Sequence, residues 1–247
     1  MKTNKYQKRF YREWVREKDL YLTRIMAQET DLQILTDQPI DKDFIESQVR
    51  TYRQDIEGYI FKDRRFLTSL KPIEVELNAP KVVKDMARKT KLANVGPMAA
   101  VAGAVAQYLG KDILRKGYKE VIIENGGDIF LSIKKSRDVA IYAGSSKFSG
   151  KLSLRIKPKD TPLGIATSSG TVGHSLNFGN ADAVVILGKD AILADAVATA
   201  ASNLIKTNQD FQKAIDFARK ISGIFGLVVI LKDYLASWGK IEFVNAY

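Results

Sequence analysis

The chain has 247 residues, of which 45% are hydrophobic and 27% charged, enough apolar material for one substantial core with an ordinary surface. It has no cysteine, which excludes disulfides, thiolate zinc sites and thiol nucleophiles. With a single histidine, His174, any metal site must lean on oxygen ligands, the set that suits a hard ion such as Mg²⁺.

The formal charge is +11, a balance that attracts anionic ligands. An anionic small molecule is the expected partner. Nucleic acid is not, because no recognition motif accompanies the charge. No apolar run approaches the roughly 18 residues of a membrane span. The longest, 98–106 and 223–231, fit a buried helix and a buried strand, so no membrane contact is expected. The opening MKTNKYQKRFYREW has no apolar stretch of the secretory type, so a cytoplasmic protein is expected.

In chain order, residues 20–27 and 32–36 flank a polar turn at 28–31 and read as a hairpin. Asp41 reads as an N-cap. Phe44, Ile45, Val49, Tyr52, Ile56, Tyr59 and Ile60 then recur at helical spacing, which predicts an amphipathic helix to about Leu70. Pro80 at the first helical position opens a second helix through Leu92, and Pro97 a third, ending near Leu109-Gly110. That third helix, PMAAVAGAVAQYL, is uncharged and built from small residues, which lets another backbone or a bulky ligand approach closely. Beyond Lys119 short strands dominate: 121–124, 129–134, 139–143, 152–157, 163–167 and 183–187. Helices follow at 191–205 and 210–221, and strands at 228–231 and 241–244 close the chain. Strands interrupted by clustered helices argue for an α+β fold in one domain, with a subdivision of 1–70 from 71–247 as the alternative.

Three segments do not read as plain scaffold. Glu124-Asn125-Gly126-Gly127-Asp128 lies between two apolar strands. Asn-Gly favours positive φ and hence a hairpin turn, and the flanking carboxylates can hold a ribose, a metal or another polar ligand. Residues 164–174 follow, with Thr167, Ser168, Ser169 and Gly170 at their centre and His174 at their end. Such a hydroxyl- and glycine-rich loop can wrap a phosphate. In the third, Asp195 and Thr199 are four residues apart and so share one helix face among Ala and Val. A carboxylate there is either favoured by the helix dipole or converges with the hydroxyl on a hard cation or a ligand.

In this order the three segments resemble the ApbE family, the FAD:protein FMN transferases. The family's asparagine–glycine–glycine–aspartate turn stands here at Asn125, Gly126, Gly127 and Asp128. Its alanine–threonine–serine–glycine loop leading to histidine stands at Ala166, Thr167, Ser168, Ser169, Gly170 and then Gly173-His174. Its alanine–aspartate–alanine–leucine–alanine–threonine helix start stands at Ala194, Asp195, Ala196, Val197, Ala198 and Thr199. The resemblance covers about residues 95–205. It implies an α+β, T-fold-like architecture of antiparallel sheets with packed helices. It also implies FAD or a related nucleotide lying across these segments, Mg²⁺ held by Asp195 and Thr199, and transfer of FMN to a threonine of a target protein. The turn, with Thr167 and Ser168, would then bind ligand.

The sequence also departs from the family. The lysine–glycine and following aspartate of the preceding helix fall in 98–103, which holds neither lysine nor acid. The family's aspartate after the histidine is Asn177, and the proline after it is Phe178. These losses, with Gly96-Pro97-Met98-Ala99-Ala100-Val101-Ala102-Gly103, resemble the UPF0280 branch. Two functions are therefore expected in competition. One is Mg²⁺-dependent transfer or hydrolysis at a phosphate, with His174 as general acid or base or as a hydrogen-bond donor to the phosphate. The other is a sensor or carrier that kept the cleft and lost the chemistry.

Overall fold

Alternating apolar side chains along the strands divide the protein into three layers, with a core on each side of a large sheet. A computed structural model describes residues 19–28, 30–171 and 176–246. The strands are β1 (Tyr21–Ala27), β2 (Thr30–Thr36), β3 (Val121–Asn125), β4 (Asp128–Ser132), β5 (Arg137–Ala140), β6 (Leu152–Ile156), β7 (Leu163–Ser168), β8 (Ala183–Gly188), β9 (Ile224–Leu231), β10 (Tyr234–Gly239) and β11 (Phe243–Asn245). The helices are α1 (Lys42–Lys62), α2 (Arg65–Thr68), α3 (Lys81–Leu92), α4 (Val101–Arg115), α5 (Ala191–Asn203) and α6 (Phe211–Arg219).

Eight strands form one antiparallel sheet in the order β1-β2-β3-β4-β7-β8-β9-β10, and β11-β6-β5 form a second. On β8, Val184 and Ile186 pack toward the helices, while Ala183, Val185 and Leu187 pack toward the small sheet. On β3, Val121 and Ile123 meet α1 and α4, and Ile122 turns the other way. The period of two is what a sheet buried on both faces requires. The expected α+β class with antiparallel sheets and packed helices is the architecture observed.

α1 buries Ile45, Val49, Tyr52, Ile56 and Tyr59, one face at helical spacing, and Asp41 caps it by accepting the Asp43 N–H at 2.9 Å. It ends at Lys62 rather than near Leu70. There the Asp63 carboxylate accepts the Arg65 N–H at 3.0 Å and turns the chain into α2. Pro80 is the N-cap of α3, one position before the expected N1. Pro97 opens a short 3-10 turn, Pro97–Ala100, and α4 then runs on through Gly110 to Arg115. Gly110 does not stop the helix. A Cβ there would lie 2.1 Å from the Phe130 ring, so this glycine is the place where α4 presses on β4. The helix is terminated instead two residues beyond Arg115 by Gly117, whose φ is +97°. β9 starts four residues earlier than expected, and β10 pairs with it at the sheet edge, where the sequence shows no clean alternation.

Candidate functional site

α5 is the backbone of the site. From Ala191 to Ser202 every residue is buried except Asp195 and Thr199, which are half-buried. Such a helix is held by apolar burial against β7, β8 and α4, at about 1.5–3 kcal/mol for each fully buried Val, Leu or Ile. Its two polar openings are one turn apart, and Ser202 continues the same stripe.

The Asp195 carboxylate is held by α4. Its Oδ2 accepts the Gly103 N–H at 2.9 Å. The first-turn N–H groups of α4 have no partner within their own helix and carry the positive end of its dipole, so a carboxylate suits them. Burial pushes the Asp195 carboxyl up to about 7, against the opposing pull of the Gly103 and Ala102 N–H groups. Gly103 is a glycine because α5 is so close. A Cβ there would lie 2.3 Å from the Ala191 carbonyl oxygen and 2.9 Å from the Asp195 Cβ.

The hairpin turn meets the same point. Asn125 pairs with Asp128, and Gly126 and Gly127 between them adopt φ of +69° and +103°. Both are left-handed, as a two-residue turn of this hand needs. Asn125 Nδ2 donates to the Ala102 carbonyl at 3.1 Å, which ties the turn to the start of α4. Glu124 points to the opposite face of the sheet, and its Oε1 accepts the Gly127 N–H at 2.9 Å. Thr167 lies against Gly127 on that opposite face, where a glycine Cβ would come within 3.7 Å of the threonine Cβ. The sequence-derived set is therefore divided by the sheet. Asn125, Asp128, Ser168, Asp195 and Thr199 share the helical side, and Glu124 and Thr167 lie on the other.

The loop after β7 is zipped to its own return. Gly170 N–H donates to the Ala181 carbonyl at 2.9 Å, and a Cβ on Gly170 would lie 1.9 Å from the Gly179 carbonyl oxygen. Ser169 Oγ accepts the Thr171 N–H at 3.1 Å, and Thr171 Oγ1 donates to Asp182 at 3.0 Å. The Gly170 N–H is thus committed within the fold. Asn177 closes the arrangement. Its Nδ2 donates to Ser168 and to Ser202, each at 2.8 Å, and its Oδ1 accepts the Gly179 N–H at 2.7 Å. At this position the amide clamps β7 to α5. The clamp residue Ser202 and the backbone of Ala102-Gly103 carry no sequence signal of their own beyond the small-residue run. His174, the expected acid or base, lies outside the described residues.

The start of α5 is closed to ligands. Asp190 Oδ1 accepts the Leu193 N–H at 2.8 Å, Gln107 Oε1 accepts the Ala191 N–H at 2.8 Å, and Lys89 pairs with Asp190 at 2.5 Å. Among the described residues no cluster of three or more His, Asp or Glu is placed to hold a metal. A cation here would rest on Asp195, Thr199 and oxygens brought by a ligand, the usual manner of Mg²⁺. Charge fits such an ion. Segments 98–103, 124–128, 167–171, 176–182 and 195–203 contain no lysine or arginine of their own and bring Asp128 and Asp195 to the helical side of the sheet, while Lys206 reaches in to donate to the Phe178 carbonyl.

Comparison with known proteins gives a consistent answer. A family model described as "AbpE bacteria" matches residues 12–224. A UPF0280 protein from Methanocaldococcus jannaschii is 41% identical over 226 residues, covering 88% of this chain and 90% of its own. One from Methanococcus maripaludis is 40% identical over 222 residues, with the same coverage. The ApbE protein of Thermotoga maritima has a similar fold, with a TM-score of 0.61 over 88% of this chain and 96% of its own at 13% identity. The flavin transferase ApbE of Vibrio cholerae gives 0.59 over 89% and 97%, also at 13% identity. By sequence and by fold, the chain belongs to the UPF0280 family of ApbE-like proteins.

Proposed function

We propose that the protein binds a flavin- or nucleotide-like phosphorylated ligand on the helical side of the β3–β4 turn, with Mg²⁺ between the ligand and α5. The carrying observation is the pair Asp195 and Thr199, the two half-buried polar positions in the otherwise buried run from Ala191 to Ser202. The segments around them bring the carboxylates of Asp128 and Asp195 and no basic residue of their own, so a cation at Asp195 eases the approach of a phosphate. When bound, Mg²⁺ neutralises phosphate charge and polarises the phosphorus–oxygen bond. Asp195 and Thr199 orient it, and the turn at Asn125–Asp128 bounds the cleft beside it. His174 supplies or removes a proton in this reading. A cytoplasmic location belongs to the same reading. Among the described residues no single helix is long and apolar enough to cross a membrane.

The supporting comparison is with flavin transferases of similar fold, at 12–13% identity. The test is calorimetric titration with FAD, with and without Mg²⁺, of the native chain and Asp195→Asn. Metal-enhanced binding that the variant loses supports the site. Equal affinity in all four titrations removes the metal assignment.

A second reading, a binding protein without turnover, has its own support. Residues 98–103 offer no lysine or acid, and the Asn177 amide is occupied by the serine clamp. Incubation with FAD, Mg²⁺ and a threonine-bearing peptide separates the two. Flavinylated peptide speaks for transfer, and tight binding with no product for the sensor or carrier.

A further inference from the structure

Phe61 and Leu77 are almost completely exposed, at 92% and 96%. Large apolar side chains that free of neighbours stand out from the surface rather than lining a groove. The two segments are held beside one another. Lys62 Nζ pairs with Glu76 at 2.5 Å, and Tyr59 Oη accepts the Glu76 N–H at 3.2 Å. Farther along the same loop Leu70 is 56% exposed, and the backbone of Ser69 and Leu70 lies against Gly96, next to the turn that follows exposed Leu92. The apolar residues therefore follow one rim made by the end of α1, the connection to α3 and the end of α3.

The charge around that rim is basic. Arg64, Lys71, Lys81 and Lys84 are exposed and make no ion pair with the described residues. Lys84 Nζ instead donates to the Leu77 carbonyl at 3.1 Å, which places a cation directly beside the protruding leucine. Protruding apolar tips among uncompensated cations suit a surface that is anionic outside and apolar just beneath. A second copy of the same face would set these cations against one another, so self-pairing is disfavoured by charge.

We propose that this rim is a peripheral docking surface for an anionic lipid membrane, with Phe61 and Leu77 entering the interface and Arg64, Lys71, Lys81 and Lys84 resting on headgroups. The absence of a spanning run in the sequence concerns crossing a bilayer, and surface docking needs none.

The test is co-sedimentation of the full chain with vesicles of equal parts phosphatidylglycerol and phosphatidylcholine, and with vesicles of phosphatidylcholine alone. The native chain is expected to sediment with the anionic vesicles only. The double variant Phe61→Ser, Leu77→Ser should lose at least about tenfold in partitioning, because both substituted side chains are apolar anchors. Chemical unfolding of the double variant checks that its fold survives. If it does not fold, Phe61→Trp provides the second measurement: a blue-shifted emission on anionic vesicles supports the proposal, and an unchanged spectrum overturns it. Sedimentation of native and double variant alike would also overturn it, as would no sedimentation, or equal sedimentation with neutral vesicles. Two further results would overturn it by reassigning the face. Salt-sensitive binding to polyglutamate in place of vesicles would make it an acidic-protein surface. Self-association abolished in the double variant would make it a dimer interface.

Discussion

The Gly103 main-chain N–H donates to the carboxylate of Asp195 at 2.9 Å, across 92 residues of chain. This one bond joins the start of α4 to the polar opening of α5. It needs a glycine, because the Ala191 carbonyl stands where any side chain would begin. Gly103→Ala is expected to force the helices apart, at a cost of about 1–3 kcal/mol for overpacking. Urea unfolding measures that cost, and a midpoint equal to the native one would show that the approach is not tight.

Asp195 also makes stability depend on pH. Its folded pKa, about 7, lies above the ordinary carboxyl value of 3.8. The folded state holds the proton more tightly than the unfolded one, so the stabilisation is full below about pH 4 and is lost as pH rises through about 7. Unfolding of the metal-free chain should show a decline over that window that Asp195→Asn abolishes. A variant with the native slope would place the effect on another group.

Asn177→Leu should cost more than Asn177→Asp. Leucine strands the hydroxyls of Ser168 and Ser202 and the Gly179 N–H, whereas aspartate still accepts from Gly179 and the hydroxyls can turn to donate to it. The expected losses are about 2–3 and about 1 kcal/mol. Thermal unfolding of both variants checks the order, and the reverse order would remove the clamp.

Lys89→Met is expected to cost about 3–5 kcal/mol, because it leaves the mostly buried Asp190 without its cation. Asp190 continues to cap α5 through Leu193, so the helix itself should persist. Circular dichroism with denaturant titration separates those two statements. Loss of helical signal in native buffer would contradict the second.

Local chemistry makes much of this readable in the sequence. Asp41 caps α1 as its side chain and position suggest, and two consecutive glycines between apolar runs give the β3–β4 hairpin. What is not readable depends on partners distant in sequence. Gly110 looks like a helix stop until Phe130 is seen against it. Gly170 looks like part of an open phosphate loop, but its backbone is committed to residues 179–181. Glu124 and Asn125 are neighbours in sequence, and strand alternation sends them to opposite faces of the sheet. Asn177, which reads as a lost acid, is a tether between two serines.

α5 is pinned between glycines on two sides. Gly103 admits it to α4, and a Cβ on Gly164 of β7 would lie 2.3 Å from the Ala191 Cα. A helix so wedged has no room to slide or to open alone. Its amide protons should exchange with solvent only when the whole domain unfolds, so their exchange rates report global stability. A cation or ligand captured at Asp195 and Thr199 would then slow exchange throughout the core. Occupancy of the cleft becomes measurable as protection far from it along the chain, without any turnover assay.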